Sequence, residues 1–369
     1  MMKRRNFNLI KTGRKNKLAL AVGLALAMSA MGSVYASGND DTFKNFANGE
    51  KLLQTAANWR TYREFLNSTG LQAIGADKAY ALGYSGDGVT LGIVDTGVRT
   101  DHEEFEGKVD LVNEIVNDWT DKETWHGSHV AGIMVAKKSI GGFGEKNRNM
   151  MGVAFNANLK SIDYGLKKDK RIKLTKKYIS TLSKDVKIIN NSWNPETGGD
   201  SFIDFAKNDI KNNDRVYVFS AGNDGNIDVS RKMTGKFAND VNIKSNFINV
   251  VNIDDMNNVS ITSNIAKGAH ENTVCAVGTN VNSVSANSLS DYTDMSGTSM
   301  AAPYVSGTLG LVQEANPYLS GKQLVDVVLT TANKNFEHPK FAITLKNHEE
   351  DDVKIIDGIN LICIDYNDK

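Results

Sequence analysis

Short runs rich in Val and Ile alternate with helical stretches along most of this chain from residue 89 onward. Each run reads as a nearly continuous apolar stretch, which is typical of strands buried on both faces of a sheet. Alternation of this kind predicts an α/β fold in which helices flank a parallel central sheet. The predicted strands are residues 89–94, 159–163, 186–190, 216–220, 248–253 and 274–277.

Helical patterns lie before and between these strands. The predicted helices are residues 48–66, 126–136, 175–184, 202–212, 299–314 and 322–332. Ser320 and Gln323 form a capping-box pattern at the start of the last helix. Right-handed crossovers make the strands of such a sheet run the same way, and catalytic groups collect at their carboxyl ends. Asp95 and Asn223 follow predicted strand ends, so we expect both side chains at that edge.

Three separated segments carry the side chains that acyl-transfer chemistry needs. Asp95 lies in Gly-Ile-Val-Asp-Thr-Gly, His126 opens His-Gly-Ser-His-Val-Ala-Gly, and Ser299 lies in Ser-Gly-Thr-Ser-Met-Ala-Ala-Pro. A serine hydroxyl is a weak nucleophile that needs an adjacent base, and an imidazole oriented by a carboxylate supplies one. The chain order Asp, His, Ser separates this arrangement from the two other well-known orders. A fourth segment, Phe-Ser-Ala-Gly-Asn-Asp, adds the amide side chain of Asn223.

Together the four segments resemble the subtilisin-like serine peptidases of the S8 family, over roughly residues 75–332. The resemblance implies a three-layer subtilisin-like architecture and an exported serine endopeptidase that hydrolyses peptide bonds through an acyl-enzyme on Ser299. It assigns His126 as the general base and Asp95 as the residue that orients it. Asn223 and the Ser299 backbone N–H become the oxyanion donors. The short leader is similar to that of bacterial autotransporter passenger proteases.

Each of these residues has an ordinary structural interpretation when it is taken alone. Ser299 could be a helix N-cap, Asp95 a turn former before Thr-Gly, and Asn223 part of an Asn-Asp-Gly turn. His126 and His129 lie one turn apart on the same predicted helix, and either imidazole could be a base on chemistry alone. The family pattern selects His126 and leaves His129 as a packed, hydrogen-bonded structural residue.

Four residues are candidates for substrate binding: Ser192, Trp193, Asn194 and Gly222. Residues 191–194 resemble the segment that pairs with extended substrate as an antiparallel strand, which gives affinity with little sequence demand. Trp193 is equally consistent with core packing. Asn194 stands where relatives often have Gly, so the shape of the subsite there stays open.

The cofactor expectation rests on one loop. Calcium binding is common in the family, often in the loop after the histidine helix. Here that loop, residues 137–151, carries Lys137, Lys138, Lys146 and Arg148 and few carboxylates. A hard cation needs clustered oxygen ligands. We therefore assign no metal and expect no required cofactor, while a structural calcium in another loop stays open.

The balance of charge limits which classes of partner the chain is expected to bind. The chain has 43 Lys and Arg against 43 Asp and Glu, so no overall basic field favours nucleic acid. We expect protein or peptide substrates and a monomer. The two cysteines, Cys275 and Cys363, exclude a disulfide-stapled scaffold and leave a disulfide or a buried free thiol as alternatives.

The amino terminus has the layout of a secretory signal peptide: a basic region, an uncharged apolar run and small residues up to Ala36. An uncleaved membrane anchor is the alternative, because the run almost reaches spanning length. We expect cleavage after Ala36, no stable membrane span afterwards, and a periplasmic, cell-surface or secreted protein. The predicted organisation is a signal peptide (1–36), a short N-terminal segment (37–71), a peptidase domain (72–335) and a C-terminal tail (336–369).

Three alternatives remain beside this interpretation. The first concerns the C-terminal tail, which is too short to form an autotransporter barrel. The chain is then either a stand-alone secreted enzyme or a truncated product. A degenerate, non-catalytic surface or binding module of the same fold is the second, although all four catalytic positions are filled. A nucleotide-binding α/β protein is the third, but no G-x-G-x-x-G follows the first strand and no Walker-type loop is present.

Overall fold

The computed structural model describes residues 48–113, 117–139, 149–164, 171–193, 199–225, 233–266, 269–332, 341–347 and 350–356. Within these residues, seven strands form one sheet in the order β2-β3-β1-β4-β5-β6-β7, and every neighbouring pair is parallel. The strands are β1 (Thr90–Asp95), β2 (Val109–Leu111), β3 (Asn158–Asp163), β4 (Ile188–Asn191), β5 (Val216–Ser220), β6 (Phe247–Ile253) and β7 (Thr273–Val277). The predicted parallel sheet is confirmed.

Burial explains why these strands could be predicted. All residues of β4, β5 and β6 are buried, so both faces of the sheet are covered and the apolar runs are continuous. The edge strand β2 was not predicted. It is three residues long and largely exposed, so it carries no apolar pattern of its own.

Helices cover both faces of the sheet. They are α1 (Gly49–Trp59), α2 (Arg63–Asn67), α3 (Thr69–Ile74), α4 (Ala76–Ala81), α5 (His126–Val135), α6 (Arg171–Ile179), α7 (Gly199–Asn213), α8 (Met233–Asn239), α9 (Thr298–Ala315) and α10 (Gly321–Thr331). The predicted capping box of α10 is confirmed, with Ser320 N–H donating to Gln323 Oε1 at 2.9 Å and Gln323 N–H to Ser320 Oγ at 3.3 Å.

Two predicted helices have different bounds in the structure. The single helix predicted at 48–66 is two helices, α1 and α2, which are separated by a turn after Trp59. The helix predicted at 175–184 is α6, which begins at Arg171 and ends at Ile179. Beyond its end, the hydroxyls of Ser180 and Thr181 donate to carbonyls of the last turn, and this local bonding competes with continuation of the helix.

Helix α9 runs through the core and packs against α5 and strands β4 to β7. Two of its glycines permit a close approach to Val153 and to β1. A Cβ on Gly307 would overlap the side chain of Val153, and one on Gly310 would lie 3.3 Å from Leu91. The amino terminus of α9 is thereby held at the carboxyl edge of the sheet.

The first strand is preceded by residues that pack on the same core. Arg60 pairs with Asp77 at 2.7 Å, and the backbone N–H of Gly70 donates to the Tyr304 hydroxyl at 3.2 Å. Tyr304 lies on α9, so the predicted N-terminal segment, as far as it is described, contacts the helix that carries Ser299. The boundary between residues 71 and 72 stays a prediction.

Two antiparallel hairpins were not predicted. The first pairs β8 (Val281–Ser285) with β9 (Asp291–Met295) and packs against α5. Its strands mix polar residues with few apolar ones, even though β8 is entirely buried. The second pairs β10 (Phe341–Asn347) with β11 (Glu350–Ile356). Cys363 and the predicted signal peptide lie outside the described residues.

Candidate active site

The four predicted catalytic residues lie at the starts and ends of elements along the carboxyl edge of the sheet. Asp95 is the last residue of β1 and His126 is the first residue of α5. Ser299 lies in the first turn of α9, and Asn223 follows β5. Chain topology therefore brings together residues that are separated by up to about two hundred positions in the sequence.

A short hydrogen bond joins the first two of these residues. His126 Nδ1 lies 2.6 Å from Asp95 Oδ1. A carboxylate accepts only, so Nδ1 carries the proton and Nε2 of the neutral ring is left as the acceptor. Asp95 is buried, and its Oδ1 also accepts the backbone N–H of Thr96 at 2.8 Å. These bonds fix the carboxylate, which in turn fixes the plane of the imidazole.

Glycine allows α5 to begin directly against the turn after β1. A Cβ on Gly127 would overlap the carbonyl oxygen of Gly97. The Gly127 N–H donates to Thr96 Oγ1 at 3.0 Å. Because the helix starts this close to β1, its first residue, His126, reaches Asp95.

The surroundings of His126 act on its pKa in both directions. Burial lowers the pKa of His126, whereas the charge of Asp95 and the hydrogen bond that the ring donates to it raise the pKa, and the net shift is upward. The charge of Arg171 opposes this with a smaller lowering. The ring stays 28% exposed, so it is held by a buried partner while part of it reaches solvent.

His129 has a different environment on the same helix. It is fully buried, and its Nε2 lies 3.1 Å from the carbonyl oxygens of both Val281 and Thr293. Burial lowers the pKa of His129 to about 3, so the ring is neutral at ordinary pH. These contacts tie α5 to the hairpin of β8 and β9, which agrees with the expected structural role.

Ser299 forms a reciprocal pair with Ser192. The Ser299 hydroxyl donates to the carbonyl oxygen of Ser192 at 3.0 Å, and the Ser192 hydroxyl donates to the carbonyl oxygen of Ser299 at 2.8 Å. Within the described part of the chain there is no hydrogen bond between Ser299 Oγ and His126. In this structure the Ser299 hydroxyl is therefore bonded to the Ser192 carbonyl and not to the imidazole.

Thr298 holds the side chain of Asn223, a contact that the sequence did not reveal. Asn223 Oδ1 accepts the Thr298 backbone N–H at 2.9 Å and the Thr298 hydroxyl at 3.0 Å. The same hydroxyl accepts the N–H of Gly222 at 3.0 Å. With Oδ1 occupied, the Nδ2 donors face away from Thr298. A Cβ on Gly297 would lie 3.1 Å from Nδ2, so glycine keeps the space beside this amide open.

A buried polar chain supports the Ser192 hydroxyl, and it too was not predicted. Ser306 on α9 donates to Asn190 Oδ1 at 2.8 Å, and Asn190 Nδ2 donates to Ser192 Oγ at 2.9 Å. Ser192 then donates to the Ser299 carbonyl. These hydrogen bonds tie the end of β4 to α9 at two points, Ser299 itself and Ser306, which lies two turns further along the helix.

Trp193, one of the candidate substrate-binding residues, has its side chain in the core. The Trp193 ring is 5% exposed, and it packs edge to face against Tyr164, Phe202 and Phe219 at centroid distances of 5.5, 5.9 and 5.9 Å. Its side chain thus belongs to the core, and a role in substrate binding concerns its backbone. Asn194 lies outside the described residues.

Among the described residues, no three His, Cys, Asp or Glu side chains are grouped to hold a metal ion. The loop at 137–151 is described only at its two ends. Beside it, the Lys108 ammonium donates to the carbonyls of Val135 and Phe155. A cationic side chain already bonds these two carbonyl oxygens, so they do not fit as ligands of calcium.

No helix in the described part of the chain has the length and apolar character needed to cross a membrane.

The structure is that of an α/β protein with a hydrogen-bonded Asp–His pair at the carboxyl edge of its sheet, and comparison with known proteins identifies its family. The model of the subtilase family, peptidase S8, matches residues 86–346. The chain therefore belongs to the subtilase family.

Individual relatives agree with this assignment. The chain is similar to an extracellular serine protease of Serratia marcescens, with 27% identity over 351 residues, 74% of this chain and 32% of the relative. It is also similar to subtilisin DY of Bacillus licheniformis, with 26% identity over 277 residues, 71% of this chain and 90% of the relative. The chain thus spans about a third of the Serratia protein.

A solved structure shows the same fold. It is described as a cold-adapted subtilisin-like serine proteinase and matches with a TM-score of 0.53 at 23% identity, covering 68% of this chain and 85% of that one. This likeness supports the three-layer architecture of helices on both sides of the parallel sheet.

Proposed function

We propose that this protein is a serine endopeptidase that hydrolyses peptide bonds through an acyl-enzyme on Ser299. The observation that carries the proposal is the 2.6 Å hydrogen bond between His126 and Asp95, at the same edge of the sheet as Ser299. Membership of the subtilase family supports it. The proposed reaction uses side chains and backbone of the chain alone and calls for no cofactor.

The neutral imidazole of His126 acts as the base. Asp95 accepts a hydrogen bond from the Nδ1–H group, and so leaves Nε2 as the acceptor for the Ser299 proton. As Ser299 Oγ bonds to the substrate carbonyl carbon, its proton passes to Nε2. The imidazolium that forms is stabilised by the Asp95 carboxylate, and it returns the proton to the leaving amine when the C–N bond breaks. Water then repeats the sequence to release the acid.

Two N–H groups stabilise the oxyanion of the tetrahedral intermediate. One is the Nδ2 donor of Asn223, whose orientation Thr298 sets through two hydrogen bonds to Oδ1. The other is the backbone N–H of Ser299, which lies in the first turn of α9 and so has no partner within the helix. Both donors are fixed before reaction, and preorganised donors of this kind act on the charge that develops in the transition state.

Substrate binding and the place of action complete the proposal. Backbone pairing with residues 191–194 would hold an extended peptide across the cleft, next to the Ser192 carbonyl that Ser299 contacts. The Serratia relative is called an extracellular serine protease. Together with the basic and apolar amino terminus, this supports an exported enzyme.

Replacement of the nucleophile tests the proposal and separates it from a non-catalytic module of the same fold. In Ser299→Ala we expect peptide turnover to fall by a factor on the order of 10⁶, a magnitude known for a subtilisin. A serine-reactive phosphonate should label the unchanged protein once, with the adduct on Ser299 by mass spectrometry. Neither the label nor turnover should survive the substitution.

Ser296→Ala is the matched control, because Ser296 is exposed and its hydroxyl accepts the N–H of Asn280 at 2.9 Å. It should keep both labelling and turnover. Thermal unfolding of both variants shows whether the fold is intact. Near-normal turnover of a folded Ser299→Ala protein, or phosphonate on another residue, would refute the assignment.

A further inference from the structure

Arg171, the first residue of α6, has no anionic partner among the described residues. Its guanidinium carbon lies 4.7 Å from the centroid of the Tyr164 ring. Its Nε is buried and has no hydrogen-bond partner. The side chain forms no ion pair with any described residue, whereas Arg60, Arg99 and Arg215 each pair with an aspartate.

An unpaired and partly buried guanidinium is uncommon in proteins. Arginine is seldom withdrawn from water unless its charge is paired, because desolvation of the charge is unfavourable. Stacking on Tyr164 recovers part of this cost and fixes the plane of the fork. The fork presents several N–H donors in a geometry that suits a carboxylate. Such a group is prepared for an anion that the described residues do not supply.

Tyr164 connects Arg171 to the proposed catalytic residues. The backbone N–H of Tyr164 donates to the carbonyl oxygen of Asp95 at 3.1 Å. The Tyr164 ring packs edge to face on Trp193, and the residue before Trp193 is Ser192, whose carbonyl accepts the Ser299 hydroxyl. Arg171 therefore lies where β3 and β4 end, beside the segment proposed to pair with substrate.

The rest of α6 carries further positive charge. The helix contains Arg171, Lys173, Lys176 and Lys177 and no Asp or Glu. None of these four cations forms an ion pair within the described residues. Since the complete chain has no net charge, this helix is a local concentration of positive charge. It would raise the local concentration of anionic groups.

We propose that Arg171 binds the carboxylate of an Asp or Glu side chain on the amino-terminal side of the scissile bond. The enzyme then prefers peptides that are acidic within a few residues before the cleavage site. Tyr164 positions the guanidinium, and the lysines of α6 contribute a general field. This inference rests on the proposed peptidase function and names its substrate class.

A matched set of fluorogenic peptides tests the inference. All peptides share one large apolar residue before the scissile bond, and each carries Glu, Gln or Lys at the second, third or fourth position before it. For the unchanged enzyme we expect kcat/KM to be about tenfold higher for Glu than for Gln at one of these positions, which equals about 1.4 kcal/mol. The difference should lie mainly in KM, because the carboxylate is bound equally in ground and transition states.

Substitutions on α6 then assign the preference to one residue. Arg171→Gln should bring the Glu-to-Gln ratio to about one, and Arg171→Lys should keep part of it, since an ammonium lacks the fork. Lys173→Gln removes one exposed charge from the same helix and should keep the ratio. Thermal unfolding of each variant checks its fold, and the ratio itself is independent of the amount of active enzyme.

Each outcome bears on a separate claim. Cleavage of the peptides by the unchanged enzyme without a preference for Glu overturns this inference and leaves the peptidase function standing. The same holds if folded Arg171→Gln retains the ratio, or if Lys173→Gln loses it as fully as Arg171→Gln. Failure to cleave any peptide contradicts the peptidase function as well.

Discussion

His126 and His129 lie one turn apart on α5, yet the two regions around them differ in almost every respect. His126 borders the cleft, remains 28% exposed and is bonded to a buried carboxylate at 2.6 Å. His129 is fully buried and lies 3.1 Å from two carbonyl oxygens of the β8–β9 hairpin. The pKa of the first is raised by Asp95 against the effect of burial, and burial lowers the pKa of the second to about 3.

The difference shows that the partner, and not the helix, decides what an imidazole does. A carboxylate stabilises the protonated ring, which suits His126 to accept a proton in the proposed reaction and to release it later. Two carbonyls in a dry environment offer hydrogen-bond acceptors but no net charge, so His129 stays neutral and serves to connect α5 with the hairpin. Three experiments test this contrast.

The largest effect should come from replacing each imidazole in turn. In His126→Ala we expect turnover to fall by a factor on the order of 10⁶, as is known for the base of a subtilisin. In His129→Ala most of the turnover should remain, while the free energy of unfolding falls by about 1–3 kcal/mol because two buried carbonyls lose their donor. Steady-state rates and urea unfolding of both proteins give the comparison.

The control for this pair is the rate per folded molecule. His129→Ala is measured where unfolding curves show that it is fully native, so that lost stability is not counted as lost catalysis. Equal loss of turnover in both folded variants, or the reverse order, would contradict the assignment of His126 as the base.

The roles of the two imidazoles illustrate how far sequence reasoning reaches. The selection of His126 followed from the order and content of the segments and from their resemblance to a family. The partners of His129 could not be predicted, because Thr293 is 164 positions away in the chain and belongs to a hairpin with a polar sequence. Local patterns carry no information about which distant carbonyls will meet a side chain.

The same distinction holds for the fold. Strands β5 and β6 were predicted nearly to the residue, since burial on both faces leaves a continuous apolar run. The hairpin of β8 and β9 was missed because its buried positions include Asn282 and Ser283, whose burial depends on hydrogen bonds across the molecule. Arg171 was missed for a related reason: a lysine-rich helix normally indicates a solvated surface, and only the structure shows one of its cations stacked beside the cleft.

A second, smaller effect should come from Asn223, which carries no titrating proton. In Asn223→Ala we expect turnover to fall by about 10²–10³-fold, the cost known for one oxyanion donor in a subtilisin. KM should change little, since the oxyanion exists only in the transition state and intermediate. The acidic limb of the pH profile should stay in place, because it belongs to His126 alone.

Thr298→Val is the matched variant for this experiment. It removes the hydroxyl that donates to Asn223 Oδ1 at 3.0 Å and keeps the backbone N–H that donates at 2.9 Å. Turnover should fall less than in Asn223→Ala. A rise in KM with turnover preserved in Asn223→Ala would show that the amide belongs to a binding loop and not to an oxyanion hole.

The smallest effect, and the most direct test of the contrast, is the pH dependence of stability. The folded-state pKa of His126 is raised above 6.5, so its contribution is complete below pH 6.5 and is lost as pH rises through the raised value. The folded-state pKa of His129 is lowered from 6.5 to about 3. Its contribution is complete above pH 6.5 and is lost as pH falls towards 3, because the unfolded chain takes up a proton that the folded chain refuses.

Urea unfolding at a series of pH values separates the two contributions. Between pH 6.5 and 5.5, His129 should lower the free energy of unfolding by about 1 kcal/mol, and His129→Gln should remove this part of the slope because Gln does not titrate. His126→Ala should leave the pH dependence of stability below pH 6.5 unchanged and alter it only above pH 6.5.

The activity of the unchanged enzyme should instead follow the protonation of His126. The value of kcat/KM should rise with pH through an acidic limb above pH 6.5, since a protonated His126 cannot accept the Ser299 proton. A slope below pH 6.5 that survives in His129→Gln and vanishes in His126→Ala would reverse the roles assigned to the two rings.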